Sequence, residues 1–213
     1  MRHLLRISWC GAIAALAFST GCADEKPLSE KYPTQWTTCS ALFGTENMET
    51  LRDILDSDDL KLSNPALSVD QLREGLTDEA IGPYDKFEGF DEYDVCRLSG
   101  NSLFYASVTW AADHIKAVQT YTERWHRAAP DVYVADSSLV GKDIDIVFRC
   151  DIGSASSEQQ EQVLLEARVK PPSSLKFSDT FHQQLSVNLA RALRDELACT
   201  NKPDIPDDLR LSK

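Results

Sequence analysis

Six cysteines, at positions 10, 22, 39, 96, 150 and 199, are the residues of this 213-residue chain whose chemistry is most constrained by spacing. No two fall within the roughly two-to-four-residue interval of a zinc knuckle, so they do not form a tetrahedral thiolate site. The histidines beyond His3 stand at 114, 126 and 182, and His114 and His126 are too far apart to share a metal from one helical turn. The run Asp56-Ser57-Asp58-Asp59 brings carboxylates together, but it lacks the glycine and the distal glutamate of a calcium-binding loop and reads as a solvated helix end. Neither a Gly-x-Ser-x-Gly elbow nor a His-Glu-x-x-His helix occurs. Among 34 acidic residues, no single carboxylate pair stands out as a glycosidase couple. The expectation is a protein without catalytic residues, metal or cofactor.

Segment 84–94 is the strongest candidate for recognition. It holds four aromatics, Tyr84, Phe87, Phe90 and Tyr93, among six charged residues. Aromatic faces beside carboxylates suit a carbohydrate or a cationic protein partner. The bland alternative is that Phe87 and Phe90 fold back into the core.

Export accounts for the first two cysteines. Arg2 and Arg6 make a basic head, and residues 7–18 form an apolar run that is too short for a membrane span of about 20 residues. The run ends in Ser19-Thr20-Gly21-Cys22, which resembles a bacterial lipobox, with Ser19 standing where Leu is usual. Cys22 is then the expected lipidation site and new N-terminus, and Cys10 leaves with the signal peptide 1–21. An even four cysteines remain, as an oxidising compartment favours.

Losing residues 1–21 removes two of 22 basic residues and none of the 34 acidic ones, leaving a net charge of −14. Such a surface disfavours nucleic acid, so the expected partners are the membrane, through the lipid, and an envelope protein or carbohydrate. If the host has an outer membrane, Ala23 after Cys22 resembles a signal for sorting to it.

The elements that position these groups follow from periodicity. Residues 22–35 are polar with two prolines and read as a flexible tether, with a domain over 36–200 and a loose tail over 201–213. A short helix capped by Thr38 should stop at Gly44, and Met48, Leu51, Ile54 and Leu55 mark an amphipathic helix. Ser68 should cap another helix, with Val69, Leu72, Leu76 and Ile81 on its apolar side. Alternation predicts a hairpin over 95–110, with Phe104, Ala106, Val108 and Trp110 inward. A second hairpin has Ile144, Ile146, Phe148 and Cys150 facing Val163, Leu165, Ala167 and Val169. Residues 112–127 should be helical and end at Pro130, 132–134 form a short strand, and the longest helix covers 177–199. The expected fold is α+β: an antiparallel sheet of two hairpins packed against helices, with two disulfides.

Each half places one cysteine on a helix, Cys39 and Cys199, and one on a hairpin, Cys96 and Cys150. Pairing within halves, Cys39 with Cys96 and Cys150 with Cys199, is the parsimonious arrangement; the other two connectivities remain open at this point. Lipobox, polar tether, the Cys39-Ser40-Ala41-Leu42-Phe43-Gly44 helix start and a strand opening on Cys96 resemble small actinobacterial cell-surface lipoproteins of unknown function. Phe43 and Leu98 depart from that pattern, where Leu and Trp are usual. The resemblance implies an α+β extracytoplasmic domain. The expected function is a lipid-anchored, non-catalytic binding or sensory module, with an exported hydrolase or a purely structural envelope protein as alternatives.

Overall fold

The computed structural model describes residues 26–57, 59–63, 67–82, 90–135, 143–155, 163–174 and 176–209. Its strands are β1 (Lys61–Leu62), β2 (Tyr93–Ser99), β3 (Leu103–His114), β4 (Trp125–Ala129), β5 (Val132–Ala135), β6 (Ile144–Phe148) and β7 (Val163–Lys170). Its helices are α1 (Leu28–Lys31), α2 (Pro33–Phe43), α3 (Thr45–Leu55), α4 (Val69–Ile81), α5 (Ile115–Thr120) and, numbered in chain order, α6 (Asp179–Glu196). All strand pairs are antiparallel, in the order β1-β2-β3-β7-β6-β5-β4. The two predicted hairpins, β2–β3 and β6–β7, therefore join through β3 and β7 into one α+β sheet.

Alternation decides what that sheet buries. Phe104, Ala106, Val108 and Trp110 of β3, Ile144, Ile146 and Phe148 of β6, and Val163, Leu165, Ala167 and Val169 of β7 share one core with α2, α3, α4 and α6. Leu185, Leu189 and Leu193 of α6 are fully buried at four-residue steps, the stripe that a helix lying across a sheet requires. Each such side chain contributes about 1.5–3 kcal/mol by leaving water. The Ser68 hydroxyl accepts from Gln71 N while Gln71 Oε1 accepts from Ser68 N, a reciprocal cap that starts α4. Gly44, at φ 87°, makes the break between α2 and α3 that a side chain would resist. The disulfides Cys39–Cys96 and Cys150–Cys199 close within their own halves, with Cα separations of 5.4 and 4.9 Å.

Five expectations are corrected. The expected tether to residue 35 is helical from Leu28, and Leu28, Tyr32 and Trp36 pack against the core. Thr38 lies inside α2, where its hydroxyl donates to Leu67 O at 2.7 Å instead of capping. Ile81 is 46% exposed, and Ala80 takes its place on the buried side of α4.

The helix expected over 112–127 is the end of β3, the short α5 and β4. The ladder continues to His114 opposite Val163 and captures the first residues, while Val118 and Trp125 bury in a second, smaller cluster on the other face of the sheet. Pro130 ends a strand rather than a helix: with Asp131 at φ 59° it forms the tight turn between β4 and β5. The tail expected to be loose over 201–213 is pinned as far as Leu209. Ile205 and Leu209 are fully buried, and Arg191 donates to Ile205 O and to Asp207. His126 Nε2 lies 2.9 Å from Leu209 O.

Candidate functional site

The helices cover one face of the sheet. On the other face, α5 and the small cluster of Ala111, Val118, Trp125, Tyr133, Val147 and Leu164 cover one part. The outward positions of β2, β3, β7 and β6 carry polar chains in register. Asp94 lies opposite Ser107, Ser107 opposite Arg168, and Arg168 opposite Asp145; on the flanking rung Arg97 faces Tyr105 and Tyr105 faces Lys170.

Arg168 is the centre of this rung. Its Nε donates to Asp145 Oδ1 at 2.8 Å, its Nη2 to Glu166 Oε1 at 2.6 Å, and its Nη1 lies 3.8 Å from Glu92 Oε1. The same Glu92 oxygen accepts from the Ser107 hydroxyl at 2.6 Å and from the Tyr105 hydroxyl at 3.4 Å, and Tyr105 also donates to Asp94. One guanidinium thus faces three carboxylates, Glu92, Asp145 and Glu166, with Asp94 joined to the group through Tyr105. Burial pushes the Glu166 carboxyl above its ordinary value, against the lowering pull of Arg168 and together with Asp145 and Glu92. Burial opposes the charge on Arg168, but the bond to Asp145 and the surrounding carboxylates outweigh it and raise its pKa. The Tyr105 phenol is raised too, first by burial and then by its bond to Asp94. The arrangement is a fixed acidic patch with one embedded cation and rigid hydroxyl partners.

Of the expected recognition loop, Tyr84 and Phe87 lie outside the described residues. Phe90 and Tyr93 pack against the main core, and Tyr93 donates to Glu79 at 2.8 Å. Their neighbours Glu92 and Asp94 reach the open face, so these two carboxylates are brought to the candidate site and the described aromatics of the stretch are not. Cys22 also lies outside the described residues. Cys10 does too, and the four described cysteines are all paired.

The described histidines lie apart from this rung. His114 ends β3, His126 bonds the tail, and buried His182 contacts Val169 O at 2.8 Å. Ser173 and Lys176 have the Ser-x-x-Lys spacing of one hydrolase class, but both are exposed and the Lys176 ammonium is 3.0 Å from Asp56. Among the described residues, no group of three or more His, Cys, Asp or Glu is placed to hold a metal. A polar depression of about 620 Å³ lies beside the β2–β3 turn, lined by Asp56, Ser57, Asp59, Lys61, Gly100 and Asn101 among others. Another of about 300 Å³ lies over Val118, Trp125 and Tyr133. Neither includes Glu92, Asp145 or Glu166.

Arg168, Glu166, Asp145, Ser107 and Tyr105 went unnoticed in the sequence because attention to the apolar half of each alternation passes over the polar half. A charged residue at every second position of a central strand, as in Glu166-Ala167-Arg168, was the available signal. No family model, no curated protein and no solved structure matches the chain.

Proposed function

We propose that this chain is an exported, lipid-anchored binding module of the cell envelope, carried on Cys22 and without catalytic activity of its own. In this reading, the open face around Arg168 is the binding surface. The observation that supports it most is the pre-ordered rung Asp94, Ser107, Arg168 and Asp145, with Glu92 bridging. It lies on the part of that sheet face that α5 and the small cluster do not cover, and the Arg168 and Glu92 side chains retain 35% and 48% exposure. Pre-organised polar groups lose little entropy on binding, and three carboxylates around one guanidinium fit a basic segment of an envelope protein. The layout resemblance to small actinobacterial cell-surface lipoproteins agrees with this placement and belongs to the same proposal.

The hydrolase alternative would need an acid and a second carboxylate facing a substrate cavity. Glu166 has a raised pKa, but it is tied to Arg168, and neither depression described above is lined by the carboxylates of this rung.

Site-specific photocrosslinking in cells tests the reading. A benzophenone amino acid at Tyr105 or Lys170, on the open face, is expected to give a discrete adduct, while one at Thr50 on α3 gives none. Adducts from Thr50 alone, or from neither face, contradict it.

A further inference from the structure

The expected anchor and the observed start of the folded chain together limit where the domain can sit. Leu28 begins α1, and Leu28 and Tyr32 are packed against the main core, so the chain is held by the domain six residues after Cys22. Six residues, even fully extended, span no more than about 20 Å.

The direction of α2 shows which end of the domain is held. The Cys39–Cys96 bridge ties α2 to β2, and the Phe43 ring lies 5.7 Å from that of Phe104, which pairs with Leu98. Both chains therefore run the same way. Pro33 lies roughly 9 Å before Cys39 along the helix, towards the Tyr93 end of β2. The turn after Ser99 lies roughly 15 Å beyond Cys96 in the opposite sense. The α1 end and the β2–β3 turn are thus at opposite ends of the domain, about 25 Å apart along this axis.

We infer that the domain rests against the bilayer with its α1 end inward and its β2–β3 turn outward, so that the partner must itself be at the membrane surface; this rests on the proposed lipid at Cys22. A leash of this length cannot carry the open face across an envelope. Residues 23–31, at that end, carry two lysines against three carboxylates, Asp24, Glu25 and Glu30. Lys26 and Lys31 are exposed there against Glu30, and the Lys31 ammonium lies 5.7 Å over the ring of Tyr32, an amphipathic side chain suited to that boundary. The 620 Å³ depression at Asp56, Ser57, Gly100 and Asn101 then faces away from the bilayer.

The test uses the full protein extracted from membranes, with the lipid verified by mass, in phosphatidylcholine vesicles that carry an acceptor dye on their headgroups. A fluorescent amino acid is placed at Ser29 or Asn101, both exposed. Energy transfer from Ser29 is expected to exceed that from Asn101 by at least roughly twofold, given the separation of about 25 Å between the Pro33 end of α2 and the β2–β3 turn. Inserting about 20 Gly/Ser residues between Glu25 and Lys26 adds roughly 25 Å of mean reach and should reduce the Ser29 signal. Equal transfer from both positions in lipid-verified protein overturns the orientation and leaves the anchor standing. A mass without lipid overturns both.

Discussion

The Ser107 hydroxyl donates to Glu92 Oε1 at 2.6 Å, and Arg168 Nη1 lies 3.8 Å from the same oxygen. Ser107 is only 2% exposed, so a side chain that would be costly to bury alone is satisfied by a carboxylate that itself reaches water. The chain has built a polar layer on the outside of a central sheet and locked it through one oxygen.

Removing the cation should show how much that layer contributes. Arg168→Met leaves Asp145, Glu166 and Glu92 facing one another without a counter-charge. A fully buried pair broken in this way costs about 3–5 kcal/mol and an exposed one about 0–1, so an intermediate loss of about 1–2 kcal/mol is expected. Urea denaturation measures it. A variant as stable as the parent contradicts the assigned role.

His182 should make stability fall on acidification. Burial lowers its pKa below the ordinary 6.5, although the bond to Val169 and the charges of Asp143 and Asp179 pull the other way. In the window just below 6.5 the unfolded chain binds the proton and the folded one resists it, so stability rises with pH across that window. Thermal melts from about pH 7.5 to about pH 5.5 should show a smaller loss for His182→Gln than for the parent. Equal losses would mean that His182 titrates normally.

Gly75 and Tyr93 offer a test of the inward-facing aromatic. A Cβ on Gly75 would lie 2.5 Å from the Tyr93 hydroxyl, which donates to Glu79 at 2.8 Å. In an open helix, Gly→Ala stabilises by about 1 kcal/mol, so a net loss reports the clash directly. Gly75→Ala should destabilise by about 1–2 kcal/mol. In a Tyr93→Phe background the same change should cost about 1 kcal/mol less. Strict additivity of the two changes contradicts the contact.

How much of this was legible in the sequence differs from element to element. Both hairpins, α3, the Ser68 cap and the stripe on α6 follow from periods of two and 3.6, which persist because one face of each element is buried. The stretch 112–127 misled because Ile115, Val118, Tyr121 and Trp125 keep helical spacing, yet Tyr121 is exposed and the burial of Val118 and Trp125 is arranged by β3 continuing to His114 and by the β4–β5 turn. Ile205 and Leu209 are too few to show a period, and residues distant in sequence, Arg191, Gln183 and His126 among them, hold that tail. The open face was invisible for a related reason: its residues come from four hairpin arms, and only the β3–β7 register places Ser107 beside Arg168.

Everything about where the protein works depends on Cys22. Mass spectrometry of the N-terminal peptide, taken from detergent-extracted protein of the producing cell, addresses it directly. The account predicts a chain that starts at Cys22, carries a diacylglycerol thioether, and holds Cys39–Cys96 and Cys150–Cys199 as its disulfide-linked peptides. A mature N-terminus elsewhere, or a free thiol on Cys22 in a correctly exported protein, would contradict it.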